Sequence, residues 1–199
     1  MVGLGSRRGN GVGRFPAGYF WKLRNNFPDV KQARINCKFL VVGYGNTLRG
    51  DDGVGPRVVE AIEKLNLPDV RVLVSQQLSP EHAESVSQAQ TVIFVDAEII
   101  QGSEFSVQSS GIPNAEPKTL NSELIRWRKL EPNESSQLMA HAADPRTMLA
   151  LARDVFGRAP EAWWLTIPAV KLGFSEELSA EAQRGLVEAV EKIRTLCRR

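Results

Sequence analysis

The order in which two apolar periodicities follow one another constrains this chain more than any other feature. Residues 38–42 (KFLVV) form a short, continuous, β-branched run closed by Gly43, the pattern of a strand buried on both faces. Behind Pro56, the residues Val58, Val59, Ile62 and Leu65 recur at helical spacing, which predicts an amphipathic helix over about 54–66. Residues 70–74 read as a second strand. Ser79-Pro80-Glu81 reads as a cap with proline at the first helical position, opening a short helix to about Ala89, and residues 91–95 (TVIFV) as a third, fully buried strand. Residues 104–108 read as a weaker strand. The stretch 110–140, with Pro113, Pro117 and Pro132, reads as an irregular excursion holding one helix near 120–129. Asp144-Pro145 starts a further helix, whose stripe of Met148, Leu151, Ala152 and Val155 stops at Gly157. Residues 162–167 (AWWLTI) are a strand, and 180–196 a closing helix with Leu186, Ala189, Val190 and Ile193 inward. Strands that alternate with helices and are apolar throughout predict a three-layer α/β domain, a mostly parallel twisted sheet of about five strands with helices on both faces.

A chain of 199 residues suits one such domain. Its net charge of +2 is unevenly distributed: residues 1–38 hold eight basic side chains against the single acid Asp29, so the remainder is weakly acidic. A mildly acidic globule has no use for nucleic acid, and the overall basic pI belongs to the head. Residues 1–37 are read as a basic, disordered extension, either a dispensable tail or the product of a start site placed too far upstream, and 38–199 as the domain. No apolar run approaches the roughly 18 residues that cross a bilayer, and the N-terminus lacks the apolar stretch of a secretory signal. A cytoplasmic protein without membrane contact is therefore expected. Cys37 and Cys197 are the only cysteines; they are too few for a disulfide framework, and their positions, before the first strand and at the end of the last helix, make neither a nucleophile.

The first strand-to-helix turn, Gly43 to Gly55, reads GYGNTLRGDDGVG. Its glycines resemble a dinucleotide fingerprint, but Leu48 stands where the third glycine belongs, and two carboxylates would repel a pyrophosphate. Asp51 is read as a helix N-cap. Asp52 is read as a functional carboxylate at the helix start. Asp96 directly follows TVIFV, at the carboxyl edge of a central parallel strand, where open α/β sheets bind ligands; its other reading is a turn cap. His141 stands in the junction MAHAADP, ahead of the helix expected over the same crevice, whereas His82 is read as a helix-surface residue. Asp52, Asp96 and His141 thus form an oxygen, oxygen, nitrogen set with small neighbours (Gly53, Ala97, Ala140, Ala142), suited to a divalent first-row metal ion with positions left for water or substrate.

The runs GYGNTLRGDDGVGPRVVEAI and VIFVDAE, the His141 junction and IPAVKLGFSEELSAEA together resemble the NiFe hydrogenase maturation peptidase family over about residues 38–197, and are most similar to the cyanobacterial type that serves the bidirectional hydrogenase. The resemblance implies a phosphorylase-like five-stranded fold. It also implies an aspartic-type, nickel-dependent endopeptidase that removes the C-terminal extension of the hydrogenase large-subunit precursor after nickel insertion, with that precursor as partner and the enzyme a monomer. The family's metal-binding acid, acid and histidine map onto Asp52, Asp96 and His141, as ligands and as catalytic groups. Several members carry glutamate where this chain has Asp52. Nickel is then expected to arrive with the precursor, with no permanently bound cofactor. Three alternatives stay open: a carboxylate pair doing the chemistry with metal serving recognition, a nickel-binding maturation chaperone that cleaves nothing, and a nucleotide-binding module.

Overall fold

The computed structural model describes residues 35–99, 124–133 and 144–198. In chain order the elements are β1 (Cys37–Tyr44), a single 3-10 turn (Gly50–Gly53), α1 (Val54–Lys64), β2 (Val70–Ser75), α2 (His82–Ser87), β3 (Ala89–Ile99), β4 (Arg126–Leu130), α3 (Pro145–Phe156), β5 (Glu161–Ala169) and α4 (Ala180–Cys197). The five strands form one sheet in the order β2-β1-β3-β5-β4, parallel except for β4, which runs antiparallel to β5. The expected three-layer α/β architecture is therefore present. Among the described residues no helix is long and apolar enough to cross a membrane.

Period-two alternation divides the core into two halves. Phe39 and Val41 of β1, Ile93 and Val95 of β3, and Leu165 and Ile167 of β5 pack with Val58, Val59 and Ile62 of α1 and Ala182, Ala189 and Ile193 of α4. Leu40, Val42 and Tyr44, then Val92 and Phe94, pack on the opposite face with Val86 of α2 and Met148, Leu149 and Ala152 of α3. Both faces of the central strands are covered, which is why their sequences are continuously apolar.

Helix boundaries follow local chemistry where it is strong. Asp144 caps α3, its Oδ1 accepting from Arg146 N at 2.8 Å, Pro145 occupies the first turn, and Gly157 ends the helix in the left-handed region at φ 76°. Ser79 does not cap α2. That helix begins at His82 after a turn in which Ser79 N donates to His82 Nδ1. The strand expected at 104–108 lies outside the described residues. Of the helix expected near 120–129, residues 120–123 lie outside the described residues and the rest is corrected: Arg126–Leu130 is an edge strand. Its residues are good helix formers, but cross-strand partners override that preference, with Trp127 stacked on Trp163 at 5.4 Å and Arg128 over the Trp164 ring at 5.1 Å. Its cations also suit an edge, where charge discourages further strand addition.

Asp51 is the second correction. It caps no helix; the residue preceding α1 is Gly53, and no side chain caps either the 3-10 turn or α1. The Asp51 carboxylate is fully buried and accepts from Val170 N (2.9 Å), Lys171 N (2.8 Å), Ser179 N (2.7 Å) and Ser179 Oγ (2.9 Å). Asp51 N in turn donates to Lys171 O, Gly50 N to Ser175 O, and Ser175 N to Leu48 O. One carboxylate thus ties the β1–α1 loop to the β5–α4 loop through four donors, and those donors satisfy its own fully buried charge. Replacement of Asp51 by alanine is expected to cost roughly 3 kcal/mol or more of unfolding free energy, read by denaturant titration; a loss below about 1 kcal/mol would show that the two loops are held by something else.

Candidate active site at the carboxyl edge of the sheet

The loop after β1 is shaped by close backbone approach. Gly45 adopts φ +137°, and a Cβ there would fall 1.9 Å from Asp52 O. A Cβ on Gly55 would lie 2.6 Å from both Tyr44 O and Val95 O, so the first turn of α1 rests directly on the ends of β1 and β3. Chain packing therefore accounts for these two glycines without a nucleotide.

This packing places Asp52 over the strand ends. Its Oδ2 accepts from Asn46 N at 3.0 Å, and Asn46 Oδ1 accepts from Leu48 N at 2.9 Å, an Asx turn that presets the loop. Asp96 lies on β3 opposite Thr166 of β5, half-buried, with Oδ1 accepting from Ala97 N at 2.8 Å. Burial pushes the Asp96 carboxyl up to about 6; the Tyr44 hydroxyl and the Ala97 N–H oppose that rise, and the negative charges of Asp52 and Glu98 add to it. The two sequence-predicted carboxylates are therefore within electrostatic reach of each other, although Asp96 is not the strand end the sequence suggested: β3 continues to Ile99 through its pairing with β5.

Their surroundings differ from those of the next acid along. Glu98 is neutralised by Arg126 and, more distantly, Arg128 of β4, and it accepts from Thr166 Oγ1. Among the described residues no Lys, Arg or His is ion-paired with Asp52 or Asp96. Two carboxylates within electrostatic reach of each other, with no paired cation among the described residues, are suited to take up a proton or a positive ion.

The third expected ligand, His141, lies outside the described residues, and among the described residues no three His, Cys, Asp or Glu side chains form a metal-holding group. His82 is engaged locally with Ser79. Both thiols are buried, and burial raises them, Cys197 to about 11, which suits neither to nucleophilic attack.

Sequence reasoning missed two residues. Tyr44 and Trp164 project from β1 and β5 onto the same sheet face as Asp96. The Tyr44 hydroxyl is within electrostatic reach of Asp96 and Trp164, and burial first, then the Asp96 and Asp144 carboxylates, keeps it protonated far above the usual phenol range. Neither Tyr44 Oη nor Trp164 Nε1 closes a hydrogen bond among the described residues, although both atoms are buried. The available signal was Tyr44 two positions beyond Val42, on the face that the alternation of β1 sends toward α3.

No family model matches the chain. The fold is that of the hydrogenase maturation endopeptidases of known structure. The hydrogenase maturating endopeptidase HybD of Escherichia coli superposes with a TM-score of 0.52 at 19% identity, over 81% of this chain and 92% of that one. The maturation protease HycI of Thermococcus kodakarensis gives 0.55 at 18% identity, over 89% and 99%, and the hydrogenase 2 maturation peptidase of a Thaumarchaeota archaeon 0.51 at 24%, over 80% and 97%. In sequence, the chain is 63% identical over 30 residues to a Methanocaldococcus jannaschii protein assigned as a hydrogenase maturation protease; the match spans 15% of this chain and 20% of that protein.

The environment of Asp96 has a consequence for stability. Because its folded value near 6 lies above the ordinary 3.8, the folded protein holds the proton more tightly than the unfolded chain, and stability falls as pH rises through that window. Asp96→Asn removes this penalty. The variant is expected to gain on the wild type between pH 4 and pH 7, by at most about 3 kcal/mol, in paired denaturation curves; an equal difference at both pH values would contradict the buried, unpaired environment.

Proposed function

We propose that this chain is an endopeptidase that removes the C-terminal extension of a NiFe hydrogenase large-subunit precursor once nickel is in place, of the type that serves the bidirectional hydrogenase of cyanobacteria, acting as a cytoplasmic monomer. The observation that carries the reading is that Asp52, in the loop after β1, and Asp96, on β3 level with the end of β1, lie within electrostatic reach of each other, in a fold shared with endopeptidases of that process. His141, three residues before the α3 cap Asp144, is proposed as the third ligand.

In this reading the nickel belongs to the substrate. Two uncompensated carboxylates and an imidazole complete the coordination of an ion already held by the precursor, so a precursor lacking nickel forfeits the charge-assisted contacts that seat its tail. Hydrolysis then needs a water directed at the scissile carbonyl and a proton for the leaving amine. Asp96, with its carboxyl near 6, can exchange a proton close to neutral pH, which favours a carboxylate of the pair as general base and acid. The ion would polarise or position the scissile segment. Because Asp96 and an ordinary imidazole lose ligating power over the same pH range, substitution separates their roles better than pH does.

The test is conversion of nickel-loaded precursor to the shorter mature subunit, followed by gel mobility. Wild-type protein is expected to cleave it, while Asp52→Asn, Asp96→Asn and His141→Ala each slow cleavage by roughly 100-fold or more. Undiminished processing by His141→Ala would reject the ligand set. Nickel binding by the wild type with no cleavage would instead favour a chaperone.

A further inference from the structure

We propose that the Tyr44 hydroxyl, steadied by the Trp164 indole N–H, is a positioning residue that holds the Asp96 carboxylate in its ligating orientation. The inference rests on the assignment of Asp96 to the active site. Gly43 pairs with Val95 across β1 and β3, so Tyr44 and Asp96 are the next neighbours on adjacent parallel strands, about 5 Å apart along the backbone. Phe94 pairs with Trp164 across β3 and β5. Period-two alternation sends Tyr44, Phe94, Asp96 and Trp164 to one face, and Tyr44, Phe94 and Trp164 share its apolar cluster.

Packing alone does not explain this arrangement. Tyr44 is only 7% exposed, and a phenylalanine would fill the same apolar space. Yet two polar atoms stand here, Tyr44 Oη and Trp164 Nε1, buried and closing no hydrogen bond among the described residues, and folded proteins rarely place such groups without a use for them. The acceptor beside them is Asp96. Ala97 N holds its Oδ1, and the Tyr44 hydroxyl is the side-chain donor that faces the carboxyl from the buried side of the sheet. A carboxylate with one such donor behind it has a fixed plane and presents its remaining lone pairs to the crevice. Neither buried atom reaches the surface, so both act through Asp96 and not on substrate.

The experiment titrates full-length protein with Ni2+ alone, by calorimetry, for the wild type, Tyr44→Phe, Trp164→Phe, the double variant and Asp96→Asn, with thermal unfolding in parallel. Tyr44→Phe is expected to weaken Ni2+ binding about tenfold while its Tm stays close to that of the wild type, because phenylalanine fills the same apolar space. The double variant is expected to bind no worse than Tyr44→Phe within about twofold, since the two donors act in series. Ni2+ binding by Tyr44→Phe within twofold of wild type overturns the proposal, as does a loss of affinity that only accompanies a fallen Tm. If Trp164→Phe fails to fold, Tyr44→Phe alone decides. Wild-type affinity in Asp96→Asn would remove the assignment of Asp96 itself, whereas lost binding in Asp96→Asn beside unchanged binding in Tyr44→Phe removes only the positioning role.

Discussion

The site depends on a carboxylate that does no chemistry. Asp51 is buried with no paired cation among the described residues, and four donors from residues 170, 171 and 179 converge on it and offset the cost of burying its charge. Those contacts fix the loop between β1 and α1, and with it the direction of the following residue. Asp51 points into the β5–α4 loop, while Asp52 is held by Asn46 N above the strand ends, where Asp96 feels its charge. Adjacent residues of one chemical type therefore have separate roles: one carboxylate has its donors supplied by backbone, and its neighbour is left available.

The same division runs through the acids of β3. Glu98 has arginine partners from the antiparallel edge strand; Asp96, two residues earlier on the same face, has none among the described residues. Burial and the nearby Asp52 make the charged form of Asp96 costly, and that cost is what a bound proton or a ligated ion relieves. An unpaired acid pair weakens the fold and favours binding, a trade that structures concentrate at functional sites.

Much of this was legible in the sequence, for identifiable reasons. β1, β3 and β5 are buried on both faces, and a continuous β-branched run reports that directly. Asp52 falls in the loop after β1, as chain order implied, but Asp96 is not a strand end: β3 runs on to Ile99 because residues 97–99 keep pairing with β5, and Asp96 lies level with the end of β1 instead. What could not be read depends on partners far away in the chain. Asp51 resembled a local cap because its donors come from more than a hundred residues downstream. Arg126–Leu130 resembled a helix because Trp163 and Trp164, which draw it into the sheet, are over thirty residues away. Tyr44 drew no reading from the sequence, since nothing local reveals that its buried hydroxyl lies within electrostatic reach of Asp96.

The central claim, that Asp52, Asp96 and His141 grasp one ion together, is tested most directly by a crystal structure of the full chain soaked with Ni2+ and located by its anomalous signal. The account predicts one dominant peak between the Asp52 and Asp96 carboxylates, with the imidazole of His141 about 2 Å from it. A peak bound by only one of these side chains, or carboxylates that stay apart while nickel settles elsewhere, would contradict it.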